Sequence, residues 1–163
     1  MLTARLQATA SQPDLLRALA LINLVSGESE QAVAGFDQLL LVKPKDAGAL
    51  VDKAVALDLQ GRHTAAQTLY RQVLAQSPND TATKNDLAVS MMLEGRIQQA
   101  LETLSPMQKA ETVPPRVRAN LGILYSAAGN VKQSRQLLGN QLSDDDLLKV
   151  TQALTSSSPD KLP

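Results

Sequence analysis

The sequence holds few side chains that are able to do chemistry. His63 is its sole histidine, and cysteine is absent. Acid-base or nucleophilic catalysis needs a histidine, cysteine or serine together with a partner that orients it, and His63 stands beside a predicted turn, where solvent is expected. The sequence also has no glycine-rich phosphate loop and no His or Cys pair with metal-ligand spacing. We therefore expect no enzyme, no metal site and no cofactor.

A second candidate for chemistry is the acidic run from Asp144 to Asp146, which follows Ser143. Three adjacent carboxylates point in different directions on a helix, and their spacing is not that of a calcium loop. Serine at the cap and carboxylates in the first turn instead stabilise the start of a helix. The run therefore predicts a capped last helix over residues 144–155.

Three polar residues recur at one spacing, because Asp52, Asp86 and Asn120 are each 34 residues apart. A row of carboxylate and amide groups can hydrogen-bond the backbone of an extended ligand. The other interpretation is that these side chains only keep their helices hydrated. The residues alone leave both interpretations open.

The spacing of 34 runs through the chain. It separates Gly27, Gly61, Gly95 and Gly129, it separates Ala32, Ala66, Ala100 and Ser134, and it separates Pro44 and Pro78. A fixed period of this length indicates a repeated helix-turn-helix unit. Glycine suits the left-handed turn between two helices, and small residues let paired helices approach closely. We expect close approach at Ala20, Ala54, Ala88 and Gly122, with Phe36, Tyr70, Leu104 and Leu138 filling the space between hairpins.

The repeat resembles the tetratricopeptide family, whose units carry a Leu-Gly/Ala-x-x-Tyr stretch, then Ala-x-x-x-Phe and a proline. The matching residues are Leu19, Ala20, Ala32, Phe36 and Pro44; Ala54, Leu57, Ala66, Tyr70 and Pro78; Leu87, Ala88, Met91, Ala100 and Leu104; and Leu121, Gly122, Tyr125, Ser134 and Leu138. The resemblance implies an all-α fold, a right-handed superhelix of about four helix-turn-helix repeats plus a C-terminal capping helix.

The repeat boundaries predict one solenoid domain over residues 1–155. The expected parts are repeats at about 13–46, 47–80, 81–114 and 115–142, a capping helix at about 144–155 and a flexible tail at 156–163. Pro106 falls inside the second helix of the third repeat, where it removes a backbone donor and would cost about 3 kcal/mol in a straight helix. We expect that helix to be kinked or short.

Composition agrees with a helical scaffold. The chain is 44% hydrophobic but 2% aromatic, which suits helices packed by alanine, leucine and valine. Sixteen basic and sixteen acidic side chains leave no net charge, so no global field favours nucleic acid or an anionic membrane. Residues 1–12 lack the features of a secretory signal, and no run of about 18 apolar residues could span a bilayer. We expect a protein or peptide ligand, no nucleic acid, and membrane contact only through an anchor absent from this chain.

The tetratricopeptide resemblance also implies a site, because in that family the first helix of each hairpin lines a concave face that holds a peptide or a partner helix. The residues that the register places there, called here the predicted partner surface, are Arg17, Leu21, Leu24, Val51, Asp52, Val55, Asn85, Asp86, Val89, Met92, Arg116, Ala119, Asn120 and Ile123. This surface is more apolar than charged. The basic clamp with which chaperone adaptors of the family hold a terminal carboxylate is not reproduced, since its positions carry Leu21, Asp52, Ala82 and Asp86.

About residues 78–155 show a narrower resemblance, to the TadD family of tetratricopeptide lipoproteins in tight-adherence (Flp) pilus assembly. It rests on residues 85–90, 94–96, 100–106 and 115–122, and its specific part is Pro106 followed by the Pro-Arg-Val-Arg-x-Asn-Leu run at residues 115–121. It implies an assembly or secretin-localising factor that faces the periplasm at the bacterial outer membrane and is held there by a lipidated cysteine that this chain lacks. The alternative is a general cytoplasmic adaptor or co-regulator that binds a peptide segment of an unrelated partner.

Overall fold

The computed structural model describes residues 12–109 and 112–156, and over these ranges its regular structure is helical, without a strand. The helices are α1 Gln12–Val25, α2 Ser29–Val42, α3 Ala47–Leu59, α4 His63–Gln76, α5 Thr81–Leu93, α6 Ile97–Leu104, α7 Pro115–Ala127, α8 Val131–Leu138 and α9 Asp144–Ser156, with a 3₁₀ turn at Ser105–Lys109 after α6. The predicted all-α fold is confirmed. The tail predicted at 156–163 lies, apart from its first residue, outside the described residues.

The chain groups into two compact units, one ending at Pro78 and the other beginning at Asn79. The first holds α1 to α4 and the second holds α5 to α9. The right-handed superhelix and the single domain over residues 1–155 stay predictions.

The first unit is built on consecutive helix pairs, α1 with α2, α2 with α3, and α3 with α4. Its α1 and α2 come together at small residues, since a Cβ added to Gly35 would lie only 2.9 Å from the Cβ of Ala20. The buried cluster of this part comprises Ala20, Ala32, Phe36, Leu39, Ala49 and Ala56. The prediction of close approach at Ala20 is thus confirmed, and Phe36 fills the space beside it.

The second unit follows the same scheme and ends differently. Its α5 pairs with α6 and its α7 pairs with α8, while the last helix, α9, packs on α7. A Cβ added to Gly122 would overlap the side chain of Leu138, which is itself buried. Glycine at this position therefore lets α7 and α8 approach closely, as predicted.

The turn between the helices of each hairpin uses glycine in the left-handed conformation. The φ angles of these glycines are +79° at Gly27, +72° at Gly61, +79° at Gly95 and +80° at Gly129. In the second hairpin the Arg62 N–H donates to the Leu57 carbonyl at 2.9 Å and the Gly61 N–H to that of Asp58 at 2.9 Å, which satisfies two carbonyls at the helix end. The turn role predicted for the periodic glycines is confirmed.

Polar side chains begin several helices. Asp46 accepts from the Ala49 N–H at 3.0 Å, and Asp80 accepts from the Thr83 N–H at 3.2 Å. At α9 the Ser143 hydroxyl accepts from the Asp146 N–H at 3.1 Å. The predicted cap of the last helix is confirmed, and side-chain oxygens thus pair N–H groups that a helix start leaves without an internal acceptor.

The second helix of the third repeat is short, as Pro106 predicts. α6 has 8 residues, whereas α2 and α4 have 14 each. It ends at Leu104, and the chain continues as the 3₁₀ turn that contains Pro106. No helix within the described residues is long and apolar enough to cross a bilayer.

Candidate functional site

The predicted partner surface falls on first helices of both units. In the first unit Arg17, Leu21 and Leu24 lie on α1, and Val51, Asp52 and Val55 lie on α3. All six side chains are half-buried. Leu21 and Leu24 also pack on the buried cluster of that unit, so part of their apolar surface is used within the fold.

Charge on this part of the surface is paired internally. The Arg17 guanidinium donates to the Asp46 carboxylate and lies 3.8 Å from Oδ2 of Asp52. The hydrogen bond from Arg17 holds the pKa of Asp46 below its ordinary value of 3.8, whereas burial raises the pKa of Asp52 above that value. Arg17 therefore joins α1 to α3 and holds the two carboxylates close to one cation.

In the second unit four predicted residues form a continuous chain of contacts between α5 and α7. The Asn120 Nδ2 donates to Asn85 Oδ1 at 2.8 Å, and the Asn85 Nδ2 donates to Asp86 Oδ1 at 3.4 Å. Arg116 Nη2 lies 3.6 Å from the same Asp86 oxygen. Two of the three members of the predicted polar column, Asp86 and Asn120, are thus brought together through Asn85.

A cleft of about 250 Å³ opens beside these contacts. Its walls are Thr81, Ala82, Asn85, Pro114, Arg116 and Val117. The Arg116 side chain is 80% exposed, so a guanidinium stands at the edge of a mainly apolar cleft. A cleft of this kind can take a small side chain of a bound segment while the exposed cation pairs with an anionic group next to it.

Some predicted positions are inside the fold. Asn85 is 3% exposed and Met92 is 8% exposed. Asn85 is therefore a link between helices, and Met92 contributes to packing; neither offers the open side chain that the repeat register suggested. Val89, Ala119 and Ile123 are half-buried, and their contact with a partner stays a prediction.

A polar cluster that the sequence did not predict lies at the end of α3. The Nδ1 of His63 is 2.8 Å from Asp58 Oδ1, and the Tyr70 hydroxyl donates to Asp58 Oδ2 at 3.1 Å. The expectation that His63 faces solvent is wrong, because its side chain is only 19% exposed. The available signal was an acid five residues before a histidine, across a glycine turn. Within the described residues, no group of three or more potential ligands could hold a metal ion.

Comparison with protein families gives two matches to models described as "Tetratricopeptide repeat", one over residues 59–117 and one over 115–140. The chain carries tetratricopeptide repeats. Repeats of this family imply a scaffold for protein-protein interaction.

Two known proteins are similar to parts of this repeat chain. The "Uncharacterized protein y4yS" of Sinorhizobium fredii (strain NBRC 101917 / NGR234) is 52% identical over 42 residues, which are 26% of this chain and 23% of that protein. The solved structure described as "MamA RS-1 ArsTM double mutant" matches with a TM-score of 0.69 at 18% identity, over 86% of this chain and 76% of that one. At this identity the structural match shows the shared fold.

Proposed function

We propose that the first helices of this tetratricopeptide chain bind a segment of a partner protein, with the strongest contacts on α5 and α7. The observation that carries this is the cleft between the two helices, with the exposed guanidinium of Arg116 at its edge. The contact between Asn120 and Asn85 holds the two helices in register beneath it. The site is therefore held in place by contacts within the fold.

The chemistry of the cleft favours a short aliphatic side chain next to an acidic group. Ala82, Pro114 and Val117 supply apolar walls, and a fork of guanidinium donors matches a carboxylate. Asp86 lies 3.6 Å from Arg116 in the unbound protein, and the Arg116 side chain is 80% exposed. A pair whose cation is exposed to this extent contributes little to folding, so the guanidinium can turn to a partner at small cost.

The more specific proposal is that the protein is an assembly or secretin-localising factor of a tight-adherence pilus. It is supported by the sequence resemblance over residues 85–122, which includes Asn85, Asp86, Arg116 and Asn120. On this proposal the partner is the pilus secretin or another assembly component, and the chain works on the periplasmic side of the outer membrane. The alternative function, that of a general cytoplasmic adaptor, is tested by the same experiment.

The test compares how much secretin three forms of the protein capture from the envelope fraction of the source cell. The three forms are wild type, Arg116→Glu and Arg118→Glu. Both arginines are exposed on α7, but only Arg116 lines the cleft. Reversing that charge should reduce capture at least about tenfold, since a like charge then faces the acidic group of the partner. Arg118→Glu should capture as wild type does.

A second pair of variants tests the apolar part of the surface. Val89→Glu places a carboxylate on the first-helix surface, where desolvating it against a partner is unfavourable, and Val131→Glu adds the same charge at an exposed position of α8. Capture should be lost in the first and kept in the second, with thermal melts as the folding control. Equal capture by all variants contradicts the proposed surface. If the protein captures a different partner and not the secretin, and that capture depends on Arg116, the pilus role is contradicted but the proposed surface is not.

A further inference from the structure

Asp86 holds the guanidinium that the proposed site offers to a partner. Its Oδ1 lies 3.6 Å from Nη2 of Arg116, and the two side chains differ in exposure, 20% for the acid and 80% for the base. The Asn85 Nδ2 donates to the same Asp86 oxygen at 3.4 Å, and Asn85 is itself buried. The carboxylate is therefore anchored on α5, and the guanidinium is the member of the pair that can move.

Successive first helices are joined by a different contact, which recurs at one register in both units. In the second unit the Asn120 Nδ2 donates to Asn85 Oδ1 at 2.8 Å. At the equivalent positions of the first unit, two repeats earlier, Nη1 of Arg17 lies 3.8 Å from Oδ2 of Asp52. Each contact leads from one first helix to the next. This contact is therefore part of how the repeats pack.

The ion pair of Asp86 and Arg116 has no such equivalent. The residues at the same register in the first unit are Ala18 and Gly48, and neither carries a charge. The two first helices of that unit, α1 and α3, nevertheless contact each other. Packing of first helices therefore does not require an ion pair at this register, and the pair in the second unit is available for another role.

Arg116 also stands where a cation needs an anion. It is the second residue of α7, whose first turn has no acidic residue and whose cap, Pro114, supplies no side-chain acceptor. The N–H groups at a helix start carry partial positive charge, so a cation beside them is destabilised unless an anion lies near. Asp86 supplies that anion in the unbound protein. An acidic group of a partner must therefore compete with Asp86 for the same guanidinium.

We propose that Asp86 is an internal competitor at the cleft, which occupies the Arg116 guanidinium until an acidic group of the partner displaces it. The inference rests on the proposed function, since it concerns the regulation of the same cleft. Binding then exchanges one ion pair for another, and the carboxylate left behind repels the acidic group of the partner. Both effects keep the complex weak and reversible. If the Asp86 carboxylate instead bonded the backbone of the ligand, the same substitution would have the opposite effect.

The test is an NMR titration of the protein with N-acetyl-Val-Glu-amide, a blocked dipeptide that carries a short aliphatic side chain next to one carboxylate. The backbone signals of Ala82 and Val117, which line the cleft, report binding. Asp86→Asn should bind this dipeptide about three- to tenfold more tightly than wild type, because no ion pair has to be broken and a like charge is removed. The asparagine keeps an oxygen that can accept from Asn85.

Three controls separate competition from a general change of charge or fold. Glu94→Gln removes the same charge from another ion pair of this unit, since Glu94 Oε2 lies 3.2 Å from Arg96 Nη1, and it should leave the affinity unchanged. In an Arg116→Gln background no guanidinium is occupied, so Asp86→Asn should change the affinity much less than it does in the presence of the arginine. The neutral dipeptide N-acetyl-Val-Gln-amide should bind wild type and Asp86→Asn equally.

Salt gives a second readout, which a change in packing would not move. Wild type breaks one ion pair and forms one, whereas Asp86→Asn only forms one, so the variant should lose more affinity than wild type when the salt concentration rises from about 20 to about 300 mM. Equal or weaker binding by Asp86→Asn, with binding by wild type that depends on Arg116, overturns the competitor role and leaves the proposed site standing. Binding that Arg116→Gln does not weaken, or no binding by wild type and variant alike, overturns both.

Discussion

At the scale of single residues, Ser134 departs from its repeat and leaves a polar atom buried. Alanine stands at the equivalent positions 32, 66 and 100, and the Ser134 hydroxyl is buried without a hydrogen-bond partner within the part of the chain that the structure describes. Ser134→Ala removes that unpaired oxygen and restores the residue found at the equivalent positions. We expect the free energy of unfolding to rise by about 1 kcal/mol, measured by urea denaturation.

The control for this prediction is a serine that has a partner. The Ser126 hydroxyl accepts from the Thr151 hydroxyl at 3.1 Å, a contact that joins α7 to α9. Ser126→Ala should therefore lower the free energy of unfolding, in the opposite direction to Ser134→Ala. A fall in stability for Ser134→Ala would mean that its hydroxyl is bonded in solution.

The Arg17 cluster predicts a dependence of stability on pH. The pKa of Asp46 is lowered by the hydrogen bond from Arg17, so its contribution to stability is present above the ordinary pKa of 3.8 and is lost as pH falls through the lowered value. Asp46→Asn keeps a capping oxygen on α3 but removes the charge. Urea melts at a series of pH values should show a shallower loss of stability in acid for this variant than for wild type.

Asp52 supplies the opposite case. Burial raises its pKa, so the folded state binds a proton more readily than the unfolded state does, and this group adds stability as pH falls. In wild type it offsets part of the loss at Asp46. Asp52→Asn should therefore make the acid loss steeper, and a shallower loss would contradict the assignment.

At the scale of elements, the turns inside the hairpins rest on a backbone conformation that most side chains resist. Gly61 has φ of +72°, and a Cβ there would meet no atom within 4 Å, so the effect of a substitution is confined to the backbone. Gly61→Val should lower the free energy of unfolding by about 1 to 2 kcal/mol. Gly61→Asn should cost less, because asparagine tolerates the left-handed region. Equal melting temperatures for glycine, asparagine and valine would contradict this account.

The limits of most elements could be predicted from the sequence. The repeat boundary predicted at about residue 47 agrees with the start of α3 at Ala47, and the capping helix predicted at about 144–155 agrees with Asp144–Ser156. The fourth repeat was predicted to run to about residue 142, but its second helix, α8, already ends at Leu138, and the next residue, Gly139, takes a φ of +55°. Helix limits follow from local patterns, and a glycine outside the periodic set can still end a helix early.

At the scale of the whole molecule, the sequence predicted which helices carry the candidate site but not how their side chains pair. The column of Asp52, Asp86 and Asn120 was identified from its period alone. The link through Asn85 and the pairing of Arg17 with Asp46 depend on the approach of helices some 30 residues apart in sequence. Rotamers and burial at such crossings are set by packing between helices. The repeat register does not contain that information, so it placed Asn85 and Met92 on the surface although both are buried.

The four glycines of the hairpin turns, Gly27, Gly61, Gly95 and Gly129, also bear on how the chain can change in length. Each hairpin turns with φ between +72° and +80°, so the backbone passes equivalent points in nearly the same local conformation. Loss or duplication of a whole 34-residue unit between two such points leaves the same residues of every following helix turned towards the core. A single inserted residue inside a helix would instead rotate the remainder by about 100° and turn core positions towards solvent. The architecture therefore favours evolution in steps of one complete hairpin.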